Sequence, residues 1–121
     1  MAVFTIDFVA RGERSNEWLI VLVESGPWTG PIEANLRRLQ KNLYDCVDAV
    51  LDGQLAEKFP QFVGMHLIIR VDFYDISRGD VEPFFDSFAA GALDTGDYKK
   101  AVASSPFVKD IAFEANFDSI H

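Results

Sequence analysis

A single cysteine, Cys46, only two histidines and no long apolar run set the first limits on this chain. One thiol cannot close an internal disulfide, so the fold has to hold by packing, and a reducing, cytoplasmic setting is expected. No window approaches the roughly 20 consecutive apolar residues that a membrane span needs. The start of the chain also lacks the basic stretch followed by an apolar one that marks a secretory signal. His and Cys form no cluster of zinc-ligand spacing, and no internal repeat, low-complexity tract or linker interrupts the sequence.

Positive charge is scarce as well. Lys plus Arg number 11 against 19 Asp plus Glu, for a formal charge of -8. Such a field repels phosphate backbones and anionic lipid, so neither nucleic acid nor a membrane is an expected partner. It attracts a basic protein, although the same acidity also keeps an ordinary small domain soluble. Aromatic residues are plentiful: eleven Phe point to a core of large rings. At 121 residues the chain fits one domain, residues 1–121, able to bury roughly two thirds of its unfolded surface.

The clearest pattern is an amphipathic helix after Gly30. From Ile32, the positions Leu36, Leu39, Leu43, Cys46 or Val47, and Val50 recur at steps of four and three, which keeps one helical face dry. Pro31 suits the first helical position, and Gly53 supplies a left-handed C-terminal cap. Leu55 and Phe59 fit one more short turn before Pro60. Residues 3–10 alternate as a first strand, with Phe4, Ile6 and Phe8 on one side and Thr5 and Asp7 on the other. Residues 17–24 follow through a polar turn, apolar on both faces and so central in the sheet.

Residues 65–74 alternate most strictly. Met65, Leu67, Ile69, Val71 and Phe73 form one face, while His66, Ile68, Arg70, Asp72 and Tyr74 form the other. A second helix is expected with Asp80 as N-cap, Pro83 in its first turn, and Val81, Phe85, Phe88 and Ala92 on one face. A helical turn over 97–103 and a last strand over 107–117 complete the order strand, strand, helix, strand, helix, strand. In that last strand Phe107, Ile111, Phe113, Ala115 and Phe117 share a face. The expected architecture is α+β, a single-layer, mostly antiparallel sheet with helices packed on one face, because a polar register on one side is what one-sided coverage leaves.

Motifs that carry chemistry are few. Asp94-Thr95-Gly96 has the triplet of aspartic proteases, but one copy after a helical pattern favours a helix-ending turn. Asp75-Ile-Ser-Arg-Gly-Asp80 places oxygens like a calcium loop, yet its glycine falls one place early and the following residues look helical. Cys46 lies on the dry face of the helix, where a thiol is a small hydrophobe. Asp7, His66, Arg70 and Asp72 form a candidate polar-face site, since a His beside a carboxylate transfers protons near neutral pH; ordinary cross-strand pairs at the surface are the plainer account. No catalytic set, metal site or cofactor is assigned. Trp28, between Pro27 and Thr29, either packs over the helix start or anchors a partner.

Ile6-Asp7, Trp28, Leu39-Gln40-Lys41 with Leu43-Tyr44, Asp52-Gly53-Gln54 and Phe59-Pro60 together resemble a family of small bacterial proteins known only as a domain of unknown function, over residues 5–75. Residues 94–105 and the Phe-rich second helix follow it least. The resemblance implies bacterial origin, a cytoplasmic setting and an α+β fold, and transfers no active site.

The sequence therefore leads toward a non-enzymatic, acidic interaction module, similar in kind to immunity proteins that neutralise a toxin. Asp45, Asp48, Asp52 and Glu57, with Trp28, form its candidate interface for a basic protein. The alternative is a small-molecule-binding domain or minor enzyme around His66. Homodimerisation through Trp28 or a sheet edge is compatible with either.

Overall fold

The apolar run that begins at Trp18 becomes strand β2 (Glu17–Ser25), an inner strand of a four-stranded sheet in this computed structural model. Residues 8–12, 14 and 16–118 are described; Asp7 and the expected strand residues before it lie outside them. Strand β1 (Phe8–Arg11) pairs with β2 as a hairpin, β3 (Met65–Tyr74) flanks β2 on its other side, and β4 (Val108–Asp118) ends the order β1-β2-β3-β4. Between them lie α1 (Ile32–Leu51), α2 (Gln54–Lys58), a single 3-10 turn (Pro60–Phe62), α3 (Arg78–Gly91) and α4 (Gly96–Ala103). The fold is α+β, with the strands and helices in the expected order.

The expectation of mostly antiparallel pairing is corrected by the register. β1 and β2 are antiparallel, but β2 runs parallel to β3 and β3 parallel to β4, so the sheet is mixed. Alternation along β3 reports that one face is dry and the other polar, and it is silent on direction. The connections permit the parallel direction: residues 26–64 and 75–107 each carry helices and are long enough for the crossover that parallel strands need.

Both crossovers lie on the same face. Trp18, Ile20 and Leu22 of β2, Leu67, Ile69, Val71 and Phe73 of β3, and Phe113 and Phe117 of β4 join one core with Leu39, Leu43, Val47 and Val50 of α1 and Val81, Phe85 and Phe88 of α3. Phe supplies the joints: Phe73 stacks on Phe117 with centroids 4.8 Å apart, and Phe88 meets Phe113 edge-on at 5.0 Å. Ring pairs of this kind add about 0.5–1.5 kcal/mol beyond the area they bury.

Local rules account for most element ends. Gly53 stops α1 at φ 88, a backbone region open to glycine, and a Cβ there would meet the Phe107 ring at 2.8 Å. Helix α3 starts earlier than expected: Ser77 is its N-cap and Asp80 falls in the first turn, where a carboxylate still favours the helix dipole. Pro83 sits inside the helix, and the Gly79 carbonyl that loses its partner is exposed to water. Ile32, expected on the dry face, is 40% exposed at the first residue of α1. At the start of β4 a bulge beside Met65 and His66 turns Val108 into the core, in place of the expected Phe107.

Candidate functional site

The face of the sheet away from the helices carries the polar side chains of β3. His66, Arg70 and Asp72 all point there, as their alternation requires, and the parallel neighbour β4 supplies partners. His66 Nδ1 lies 2.8 Å from both carboxylate oxygens of Asp110, directly opposite in the register. Arg70 donates from Nε to Asp72 Oδ1 at 2.8 Å and from Nη2 to Oδ2 at 3.2 Å. Asp72 is buried, unlike the expected wet face, and the guanidinium satisfies both of its oxygens. Asp7, the fourth member of the set, lies outside the described residues.

A cavity of about 540 Å³ opens on this face, lined by Arg11, Gly12, Arg14, Glu17, Leu19, Ile68, Arg70 and Glu114. Of the three described members of the polar set only Arg70 lines it. His66 is held to Asp110 and Asp72 to Arg70, so the set divides into two separate pairs and does not converge on one reacting point. A His anchored to a carboxylate can pass a proton, but covalent chemistry needs a nucleophile beside it. The thiol does not provide one: Cys46 is fully buried in α1, and burial pushes its pKa up to about 12. Among the described residues no group of His, Cys, Asp and Glu could hold a metal ion.

A second concavity, about 520 Å³, lies between α1 and α4, lined by Asp48, Leu51, Asp52, Asp97, Tyr98 and Ala101. The Tyr98 hydroxyl donates to Asp48 Oδ1 at 2.8 Å, its ring stacks on Tyr44 at 5.3 Å, and desolvation with that hydrogen bond pushes its pKa up to about 12. Two of the four acidic interface candidates, Asp48 and Asp52, meet here. Asp45 takes Lys41 Nζ at 2.6 Å, and Glu57 sits in the first turn of the separate helix α2. Asp52 also accepts the Gln54 backbone N–H at 3.0 Å, closing the turn after α1. Asp48 and Asp52 stand at the negative end of the α1 dipole, and the last turn of that helix carries no basic residue to offset them.

Trp28 packs against the core, with the Arg38 guanidinium 5.9 Å from its ring centroid. Its buried Nε1 donor has no hydrogen-bond partner among the described residues. Arg38 also grips the buried carboxylate of Glu24 with two bonds, at 2.7 and 3.0 Å, tying the first half of α1 to the end of β2.

The two lookalike motifs are absorbed by the fold. Asp94 follows α3 in a turn in which its N–H reaches the Gly91 carbonyl at 3.2 Å. The acidic run after Asp75 becomes helical at Arg78, whose Nε pairs with Glu82 at 2.6 Å. Sequence reasoning missed Asp97, Asp110, Glu17 and Glu114. One signal was present: His66, Arg70 and Asp72 are spaced by four and two residues, and so are Asp110, Glu114 and Asn116.

No helix among the described residues is long and apolar enough to cross a membrane. Comparison with family models, curated proteins and solved structures finds no match to this chain.

Proposed function

We propose that this protein is a non-enzymatic interaction module that receives a basic segment of a partner protein in the groove between α1 and α4, similar in kind to an immunity protein. The observation that carries the reading is the placement of Asp48 and Asp52 at the carbonyl end of α1, beside Asp97 of α4 and around apolar Leu51 and Ala101. Carboxylates at that end oppose the helix dipole by about 0.3–1 kcal/mol each, a cost that the turn closed by Asp52 offsets only in part. A Lys or Arg entering the groove reverses the sign of that interaction, and its aliphatic stem covers Leu51 and Ala101. The net charge of -8 adds long-range attraction for such a partner. A cytoplasmic, bacterial protein with no catalytic set fits this role, and self-association at a sheet edge leaves the groove open.

The test is a titration of isotope-labelled protein with a short Arg/Leu peptide at low and high salt, read residue by residue by NMR. Shifts centred on residues 48–52 and 97–101, reduced by salt and abolished in the triple variant D48N/D52N/D97N, support the reading. Shifts spread over every acidic surface, or their persistence in the triple variant, refute it. The cavity on the sheet face favours a second reading, a small molecule held between Arg70 and Glu114 over Leu19 and Ile68. A thermal-shift screen with the E114Q variant as its blank tests that reading: compounds that raise the wild-type melting temperature and not that of E114Q support it, and equal shifts in both refute it.

A further inference from the structure

β4 ends the sheet. Among the described residues it pairs with β3 along its whole length and with no strand on its other side. Its eleven residues contain no proline or glycine, and the bulge at Met65 and His66 touches only its beginning. The row that faces the helices is also incompletely covered. Ile111, Phe113 and Phe117 are half-buried, whereas Leu67, Ile69, Val71 and Phe73 in the adjacent row of β3 are fully buried. A long edge with outward-pointing backbone groups and a half-covered apolar row is a template for another strand.

We infer that a second copy of this chain adds to that edge, β4 against β4 and antiparallel, across a two-fold axis at Phe113. The inference is independent of the acidic groove, which lies on α1 and α4. Its occupant is identified by the strand's own self-complementarity. A two-fold perpendicular to the sheet makes two copies of one edge antiparallel and keeps both helix layers on the same side. Phe113 is the midpoint of Val108–Asp118, so an axis there overlaps the strands over their full length. Phe113 then faces its own copy, Ile111 faces Ala115, Ala112 faces Glu114 and Asp110 faces Asn116, and no like charges meet. Moving the axis one residue back, to Ala112, sets Asp110 against Glu114 twice. Moving it one residue on sets Glu114 against itself. Like charges directly opposite are destabilising, so the neighbouring registers are disfavoured while the full overlap is not. The paired edge also closes the half-covered row, with Phe113 and Ile111 of each copy against Phe113 and Ala115 of the other.

The experiment is sedimentation velocity over a wide concentration range on the wild-type chain and on A112E, A112K and A112E/E114Q. Ala112 and Glu114 are exposed, Ala112 contributes only a methyl group to the open face, and the amide at 114 keeps the shape of the carboxylate and sets no cation against Arg70, so the exchanges leave the protomer fold in place, which circular dichroism checks. A112E sets two Glu pairs across the axis, A112K sets two Lys–Glu pairs, and the double variant sets two Glu–Gln pairs. The wild type is expected to dimerise, with A112E raising the dissociation constant about tenfold, A112K leaving it equal or lower, and the double variant restoring it. A wild type that is monomeric at every concentration overturns the inference. So does any other ordering, including equal effects of A112E and A112K or failure of the double variant to recover association.

Discussion

Replacing Arg38 with Met removes the counter-ion of Glu24 while keeping a long side chain over Trp28. The two members of this pair are unequally placed: the Glu24 side chain is 10% exposed and that of Arg38 46% exposed. In R38M the carboxylate stays buried at the end of β2 without its two donors. Breaking a buried pair costs about 3–5 kcal/mol, and water reaching the space left by a half-exposed guanidinium lowers that to about 2–3 kcal/mol. In E24Q the guanidinium turns to solvent and the amide oxygen still accepts one N–H, so the expected loss is about 1 kcal/mol. At about 4 °C per kcal/mol for a chain of this size, the melting temperature falls by about 10 °C in R38M and by about 4 °C in E24Q. The double variant R38M/E24L, which leaves no buried charge, recovers most of the loss.

Urea unfolding followed by tryptophan fluorescence reads this directly, since Trp28 lies under Arg38 and Trp18 sits in the core. With E24L added, R38M, E24L, R38M/E24L and the wild type close a double-mutant cycle with an expected coupling of about 2–3 kcal/mol. A loss in E24Q equal to or larger than that in R38M refutes the asymmetry. Losses that simply add in R38M/E24L refute the pairing itself.

Two further outcomes follow from buried positions. The Cys46 thiol has its pKa raised from 9.0 to about 12 by burial, so the folded chain keeps a proton that the unfolded chain releases. Stability is therefore full below pH 9 and declines from there toward pH 12, by on the order of 4 kcal/mol across the window. Tyr98, raised from 10.0 to about 12, adds a loss of the same sign that begins at higher pH. C46A is expected to flatten the fall of the urea midpoint above pH 9, and an unchanged alkaline slope would sink the assignment. Where β2 ends, a Cβ on Gly26 would collide with the Asp75 carbonyl oxygen, whereas one on Gly91 meets nothing within 4 Å. G26A is expected to cost about 2 kcal/mol or more and G91A to gain about 0.5–1 kcal/mol, measured by the same unfolding curves. Equal effects would mean that the strand end is free to move.

What the sequence made legible was whatever depends on near neighbours. The bounds of β3, the dry face of α1 from Leu39 to Val50 and the glycine stop at Gly53 each follow from a period or a backbone preference, and the structure has all three. What it hid depends on chain closure. Asp48 and Tyr98 are 50 residues apart, and His66 and Asp110 are 44 apart; no local pattern joins them. Trp28 was ambiguous for the same reason, because the residue that covers it is Arg38, on a helix whose orientation is set by the crossover.

Strand direction was encoded, but in a pairing that no single strand displays. In the observed parallel register His66 faces Asp110, Arg70 faces Glu114 and Asp72 faces Asn116, so each step across the open face joins complementary groups. Reversing β4 about the Ile69–Phe113 pair would set His66 against Asn116, Arg70 against Ala112 and Asp72 against Asp110. That arrangement loses two attractive pairs and brings two carboxylates together next to a buried position, which cross-strand energies of about 0.2–1 kcal/mol per pair disfavour. The charges on the polar face therefore specify how β4 lies on β3. On that account the pairing of His66 with Asp110 and the facing of Arg70 by Glu114 serve the register of the sheet, which is why the polar residues of β3 divide among structural partners and do not converge on one point.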